Sequence, residues 1–241
     1  QALQPVSPAE LPHLEEAATL ALFFSPATGQ LWQVTPHGLA LQGRMIWEHA
    51  CEVACFSQDG RTLFVACGHQ LLKVSLTAKG ESGSGSGVEA SPLLTLPCSC
   101  AALALWEDST FPSQSVLCAS LWQQAPHPNL VFWSIAPSGV TQLQAVHRPT
   151  HPIRLVIFPQ AAAVVTLDAG GSFAVYVLGV QARSTALQVI PLAESDAIMP
   201  RCAIELQVLE EQAAVLVIYA RGTPSLLTLS PLDGELHLSA I

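Results

Sequence analysis

Charged side chains are scarce in this 241-residue chain, at 11% of all residues, whereas an average soluble domain carries about 25%. Basic residues number 9 against 18 acidic ones, which sets the net charge at −9. The lysines are Lys73 and Lys79, and the arginines are scattered. Because so few cations offer little to a phosphate backbone, we expect no direct binding of nucleic acid.

Long apolar runs are also lacking, although 50% of the chain is hydrophobic. No stretch approaches the ~18 consecutive apolar residues of a membrane helix, so we expect no membrane span. High hydrophobicity with low charge also argues against a disordered chain. The N-terminus has neither an initiator Met nor a basic segment. We therefore expect no signal peptide, and a fragment or a chain trimmed at both ends.

The cysteines are odd in number, at 7, and several stand in strand-like apolar contexts. This pattern predicts reduced, buried thiols rather than a disulfide framework. The sequence has a single asparagine, Asn129, and the residues after it do not form a glycosylation signal. We therefore expect an intracellular protein, cytoplasmic or nuclear.

Motifs of catalysis and metal binding are missing or weak. The tightest pairs of possible metal ligands are Cys51-x3-Cys55, Cys98-x-Cys100 and His147-x3-His151. The thiol pairs lack clean zinc-finger spacing, and prolines 149 and 152 forbid a metal-binding helix at the histidines. Nucleophile-elbow, phosphate-loop and zinc-protease motifs are absent. We expect no catalytic residue, no cofactor, no metal and no enzyme activity, although distant residues that converge in space leave an enzyme open.

A strand pattern recurs along the chain about every 50 residues, as in propeller blades. Each unit has four extended stretches, and the first stretches begin near Val53, Ala101, Ile153 and Ala203. Ahead of them, three stretches at Thr19–Phe24, Gln30–Thr35 and Leu39–Trp47 resemble the second, third and fourth strands of an incomplete blade. The sequence therefore predicts an all-β propeller of about five four-stranded blades, or a part of a larger one. We expect a missing segment or a partner chain to supply the absent strand.

Two segments stand apart from the propeller domain predicted at residues 19–241. Residues 1–18 form an N-terminal lead-in, with some helical character from Pro8 to Thr19. Residues 80–87 alternate Gly and Ser, which is typical of a flexible linker, and we interpret them as an engineered replacement of a longer loop. A natural Gly/Ser loop is the alternative.

The clearest repeat resembles the WD40 family. Phe56-Ser57-Gln58-Asp59-Gly60 lies between two apolar strands, where family repeats carry Phe-Ser-Pro-Asp-Gly. Val131-Phe132-Trp133-Ser134 is similar to the Trp-Asp ending of a repeat. The resemblance implies a propeller whose loops and blade edges bind proteins.

Low surface charge and apolar strands also suggest a surface that other subunits cover. Trp106 and Trp122 stand near strand ends, and His127 lies in a Pro-flanked loop, so these three are our candidate partner-binding residues. We expect a non-catalytic scaffold inside an intracellular complex, with obligate protein partners. A peptide-motif or substrate receptor, for example of a ubiquitin ligase, is the alternative.

Overall fold

Strands make up the whole regular structure of the described residues. The computed structural model describes residues 19–25, 29–77, 87–107, 115–158, 162–180, 187–194, 203–209, 214–219, 224–229 and 236–240. These contain twenty strands and no helix, which confirms the all-β prediction. The N-terminal lead-in 1–18 and residues 80–86 of the Gly/Ser segment lie outside the described residues.

The chain divides into two compact units, of which the first is Gln1–Thr95. It contains two four-stranded antiparallel sheets, in each of which strands adjacent in sequence are neighbours. The strands are β1 (Ala21–Ser25), β2 (Gln30–Thr35), β3 (Gly38–Leu41), β4 (Arg44–Glu48), β5 (Val53–Phe56), β6 (Thr62–Cys67), β7 (Gln70–Thr77) and β8 (Gly87–Thr95). This meander of four short strands is the layout of a propeller blade.

The second unit, Leu96–Ile241, contains three sheets of the same kind. Its strands are β9 (Cys100–Glu107), β10 (Ser115–Leu121), β11 (Leu130–Ala136), β12 (Gly139–Val146), β13 (Pro152–Phe158), β14 (Ala163–Asp168), β15 (Phe173–Val180), β16 (Leu187–Glu194), β17 (Ala203–Leu209), β18 (Ala214–Tyr219), β19 (Ser225–Leu229) and β20 (Leu236–Ala240). Each of the four predicted repeats, which start near Val53, Ala101, Ile153 and Ala203, thus forms one sheet.

The first sheet corrects the prediction of an incomplete blade. The stretch Leu39–Trp47 is not one strand but a hairpin, because Gln42 and Gly43 turn the chain with φ values of 49° and 79°. Two consecutive positive φ angles are the geometry of a tight type I′ turn. The sheet therefore has all four strands, and β1 is its edge strand rather than its second strand. The expected need for a strand from elsewhere loses its basis here.

A backbone irregularity recurs between the third and fourth strands. The register shifts in four of the five sheets, between Leu39 and Ala40, Leu71 and Leu72, Phe132 and Trp133, and Val175 and Tyr176. Every one of these eight residues is buried. A bulge increases the local twist, so in these four sheets the ladder to the fourth strand is irregular at a corresponding place.

The core of the first unit lies between its two sheets. Trp32 and Leu39 of the first sheet pack in one cluster with Leu63 and Val65 of the second. At its margin the rings of Phe23 and Phe56 approach to 5.5 Å between centroids. The turn glycine Gly60, at φ +65°, contributes to this closeness, because a Cβ atom there would collide with the Phe23 ring.

The core of the second unit forms two clusters between successive sheets. In one cluster the fully buried rings of Phe132 and Tyr176 meet at 5.4 Å between centroids, which joins β11 to β15. In the other, Phe173 of β15 packs in one cluster with Leu206 of β17 and Val217 of β18. Apolar contact between adjacent sheets is therefore the main stabilising interaction, at about 25 cal/mol per Å² of buried area.

Candidate partner-binding surface

Two connections and one turn of the second unit meet at one edge of its first two sheets. Residues 122–129 join β10 to β11, residues 147–151 join β12 to β13, and residues 169–172 turn from β14 to β15. Trp122 N donates to Ser99 O at 2.9 Å, and Asn129 N donates to Val146 O at 3.0 Å. We call these three segments, with Asp168 at the end of β14, the loop edge.

Trp122 is the largest exposed side chain of the loop edge, with 53% of its surface accessible. Its ring packs against the His151 ring at 5.2 Å between centroids and an angle of 61°. The backbone bond to Ser99 holds its base at the end of the ladder. The sequence-predicted partner residue Trp122 is therefore on the surface and supported from one side.

His127 is also exposed and lies on the same edge. Its N–H donates to Gln124 O at 3.1 Å, and its carbonyl oxygen is 3.1 Å from Nδ1 of His147. Because a carbonyl oxygen can only accept, Nδ1 of His147 carries the proton in this contact.

A buried amide holds the two connections together beneath this surface. The Asn129 side chain accepts from the N–H of Arg148 at 2.8 Å and donates to the Arg148 carbonyl at 3.0 Å. Asn129 is 2% exposed and Arg148 is 4% exposed. This two-point bond joins the end of one connection to the start of the other, which fixes both backbones.

The arginine side chain extends the same network to the next sheet. Arg148 Nη2 donates to Asp168 Oδ2 at 2.9 Å, and Thr150 Oγ1 donates to the same oxygen at 3.0 Å. Asp168 is only 1% exposed. The neighbouring Ala169 N donates to His151 O at 2.8 Å. A buried, charge-assisted network therefore underlies the exposed Trp122 and His127.

Trp106 lies in a different environment from the one we expected. It is the penultimate residue of β9, as the strand-end prediction required, but it is only 7% exposed. Its side chain belongs to the cluster that contains Phe132 and Tyr176. The expectation that Trp106 presents a binding surface is therefore corrected, because the packing of adjacent sheets covers the ring.

Sequence reasoning missed the three residues of the network. In the sequence, Arg148 is one of the scattered arginines, Asp168 ends an apolar strand-like stretch, and Asn129 lacks a glycosylation signal. One signal could have indicated these residues. They are charged or amide residues at strand ends of an apolar chain, and Arg148 and Asp168 are 20 positions apart.

The described residues show no metal-binding cluster. No group of three or more His, Cys, Asp or Glu side chains among them could hold a metal ion. The pair His147 and His151 lies in a non-helical connection, as its prolines predicted. Within the same residues, no helix is long and apolar enough to cross a membrane.

Comparisons with known proteins give the fold. No family model matches the chain, and no curated protein matches it. Among solved structures, Hsv2 of Kluyveromyces lactis matches with a TM-score of 0.60 at 9% identity, over 94% of this chain and 73% of that one. A putative 6-phosphogluconolactonase from Bacteroides uniformis matches with a TM-score of 0.56 at 11% identity, over 90% and 75%.

The dihydro-heme d1 dehydrogenase NirN matches with a TM-score of 0.54 at 10% identity, over 93% of this chain and 47% of NirN. The fold is a β-propeller. The three identities lie between 9 and 11%. At such low identity the likeness shows a shared architecture and nothing further.

Proposed function

We propose that this β-propeller is a non-catalytic scaffold of an intracellular complex, and that it binds a protein partner through the loop edge. In this proposal it is a WD40-like propeller with degenerate repeats, as the segment Phe56–Gly60 suggests. The partner is another subunit on which the chain depends in the cell. The β-propeller fold supports this proposal, because propellers present loops on a rigid frame.

The observation that carries the proposal is the exposed Trp122 on a rigid base. Tryptophan is enriched among the few residues that dominate binding energy at interfaces. A side chain already held in place loses less entropy on binding. The amide and ion-pair network through Asn129, Arg148 and Asp168 supplies that rigidity.

The charge distribution of the loop edge is consistent with a protein interface. Interface cores are depleted in charged residues and enriched in aromatic ones. Asp168 and Arg148 are buried and paired with each other, so neither presents its charge to a partner. Trp122 and His127 remain exposed and present aromatic and hydrogen-bonding groups.

The same ion pair makes a peptide receptor the weaker candidate. A receptor for acidic or phosphorylated motifs would use arginines as exposed ligands. Arg148, the arginine of the loop edge, instead donates to Asp168. A scaffold role is therefore the better match to how this edge uses its charges.

The test compares the proteins that bind the chain with and without the Trp122 side chain. The tagged full chain, W122A and F24A are expressed in the source cells and purified, and the co-purifying proteins are quantified by mass spectrometry. Phe24 is the matched control because it is an aromatic residue of similar exposure, 57% against 53%, in the first unit.

We expect W122A to lose specific partners about 30-fold, as for a hot spot of ~2 kcal/mol. The control F24A should keep those partners. A photo-crosslinking amino acid at position 127 should attach to the same proteins. The proposal is wrong if W122A keeps every partner of the unmodified chain while both variants stay folded.

A further inference from the structure

Two cysteines of the first unit lie side by side at one end of its second sheet. Cys51 is in the connection between β4 and β5, and Cys67 is the last residue of β6. Val53 pairs with Ala66, and Glu52 N donates to Ala66 O at 2.9 Å. The ladder therefore extends past β5 and brings the two cysteines together.

Both thiols belong to the same packed cluster. Cys51 is 6% exposed and lies in the core between the two sheets, and the partly buried Cys67 packs against that core. The backbone of Cys51 is fixed by its N–H, which donates to Pro36 O at 3.0 Å. Its thiol donates to His49 O at 3.2 Å.

The side chains of Cys51 and Cys67 are linked by a hydrogen bond. This bond lowers the pKa of Cys51, although burial acts in the opposite direction. It raises the pKa of Cys67, and burial and the nearby Glu52 act in the same direction. Cys51 is therefore the sulfur that loses its proton first, and the thiolate is the reactive form of a cysteine.

We propose that Cys51 and Cys67 are a redox-active dithiol that closes to a disulfide when it reacts with a hydroperoxide. The Cys51 thiolate attacks the outer peroxide oxygen, the O–O bond breaks, and Cys51 becomes a sulfenic acid. The other peroxide oxygen takes up the proton that Cys51 gave to water and leaves as an alcohol, or as water when the peroxide is hydrogen peroxide. The sulfur of Cys67 then attacks the Cys51 sulfur. The S–O bond breaks, the S–S bond forms, and water leaves with the proton from Cys67.

The electrons balance in this sequence, because the two thiols together supply the two electrons that reduce the peroxide. Glutathione can reduce the disulfide back to two thiols by thiol–disulfide exchange, and the partly buried Cys67 is the sulfur that it reaches more easily. The proposal concerns the first unit alone and is independent of partner binding at the loop edge.

The test uses hydrogen peroxide on the reduced, purified full chain. Free thiols are then alkylated without reduction, and the peptides are mapped by mass spectrometry. We expect one disulfide-linked pair of peptides, containing Cys51 and Cys67, and complete loss of alkylation at both. Treatment with dithiothreitol should restore alkylation at both positions.

Variants assign the two roles and provide a control. In C67A, peroxide should leave a sulfenic acid on Cys51 that dimedone traps, whereas in C51A no dimedone adduct should appear on Cys67. Cys118 is 0% exposed on β10 of the second unit, so C118S should leave the disulfide unchanged.

The unmodified chain alone decides the main question, even if a variant does not fold. The proposal is overturned if Cys51 and Cys67 both stay alkylated after peroxide treatment that oxidises exposed methionine. A disulfide between other cysteines, or over-oxidation of Cys51 with Cys67 still free, would overturn it as well.

Discussion

Removal of Arg148 tests whether the buried ion pair holds the loop edge together. Arg148 and Asp168 are 4% and 1% exposed, and their charged atoms are 2.9 Å apart. In R148M the methionine retains much of the apolar stem but removes the guanidinium. Asp168 then keeps the hydroxyl of Thr150, at 3.0 Å, but loses its positive partner.

The expected cost follows from leaving a carboxylate buried without its opposite charge. Loss of one partner of a buried ion pair destabilises a protein by about 3 to 5 kcal/mol. The total free energy of unfolding of a domain is only about 5 to 15 kcal/mol, so the effect is large. The double variant R148M/D168L removes both charges, and we expect it to recover at least half of the loss, because an apolar pair costs no desolvation.

Urea denaturation followed by circular dichroism measures these differences at constant m-value. The matched control is R61M, because Arg61 lies 3.9 Å from Asp59 with both side chains exposed, at 84% and 61%. An exposed pair contributes only about 0 to 1 kcal/mol. If R148M lost no more stability than R61M, the network would not be the support that we describe. Hydrogen exchange at Ala169, whose amide donates to His151 O, and at Gly171, whose amide donates to Asp168 O within the turn, would locate the loss in the second unit.

Three further predictions follow from single residues. Trp106→Ala should destabilise the chain by about 3 to 5 kcal/mol, measured by urea denaturation, because it leaves a cavity between two sheets; a loss under 1 kcal/mol would contradict its burial. Gly60→Ala should lower Tm, because Gly60 has a φ of +65° and an added Cβ would collide with the Phe23 ring. An unchanged Tm would show that the turn relaxes freely. Because its pKa is lowered by the hydrogen bond from Cys67, Cys51 should be alkylated by iodoacetamide at a lower pH than an ordinary thiol, and C67A should move that pH dependence upward.

Most strands could be predicted because local patterns specify them. Asp59-Gly60 supplied the turn chemistry between β5 and β6, where the left-handed φ of Gly60 matches that role. The hairpin at Gln42-Gly43 was missed because Gln is a poor signal for a positive φ and because Arg44 is the one charged residue between Leu39 and Trp47. Local sequence therefore indicates a turn only when the turn residues themselves have a strong conformational preference.

The candidate site was predicted less completely, because burial and pairing depend on distant segments. Trp122 and His127 lie in a connection that the strand end and the flanking prolines indicated, and both are exposed. Trp106 stood beside charged residues, but the adjacent sheet covers it. Arg148 and Asp168 are 20 positions apart, and no periodic pattern links such a pair across two sheets.

The repeat is preserved in the backbone more faithfully than in the sequence. Only the second sheet contains a clear family-like turn, yet four of the five sheets carry a bulge between the third and fourth strands. The buried residues at these bulges range from Ala40 to Trp133, so no single side chain accounts for the irregularity. What the sheets share is the need to twist the outer strand while packing both faces of the inner strands, and a bulge meets that need with many apolar residues. This explains how a propeller can be similar in structure to solved propellers at 9 to 11% identity while no family model matches it.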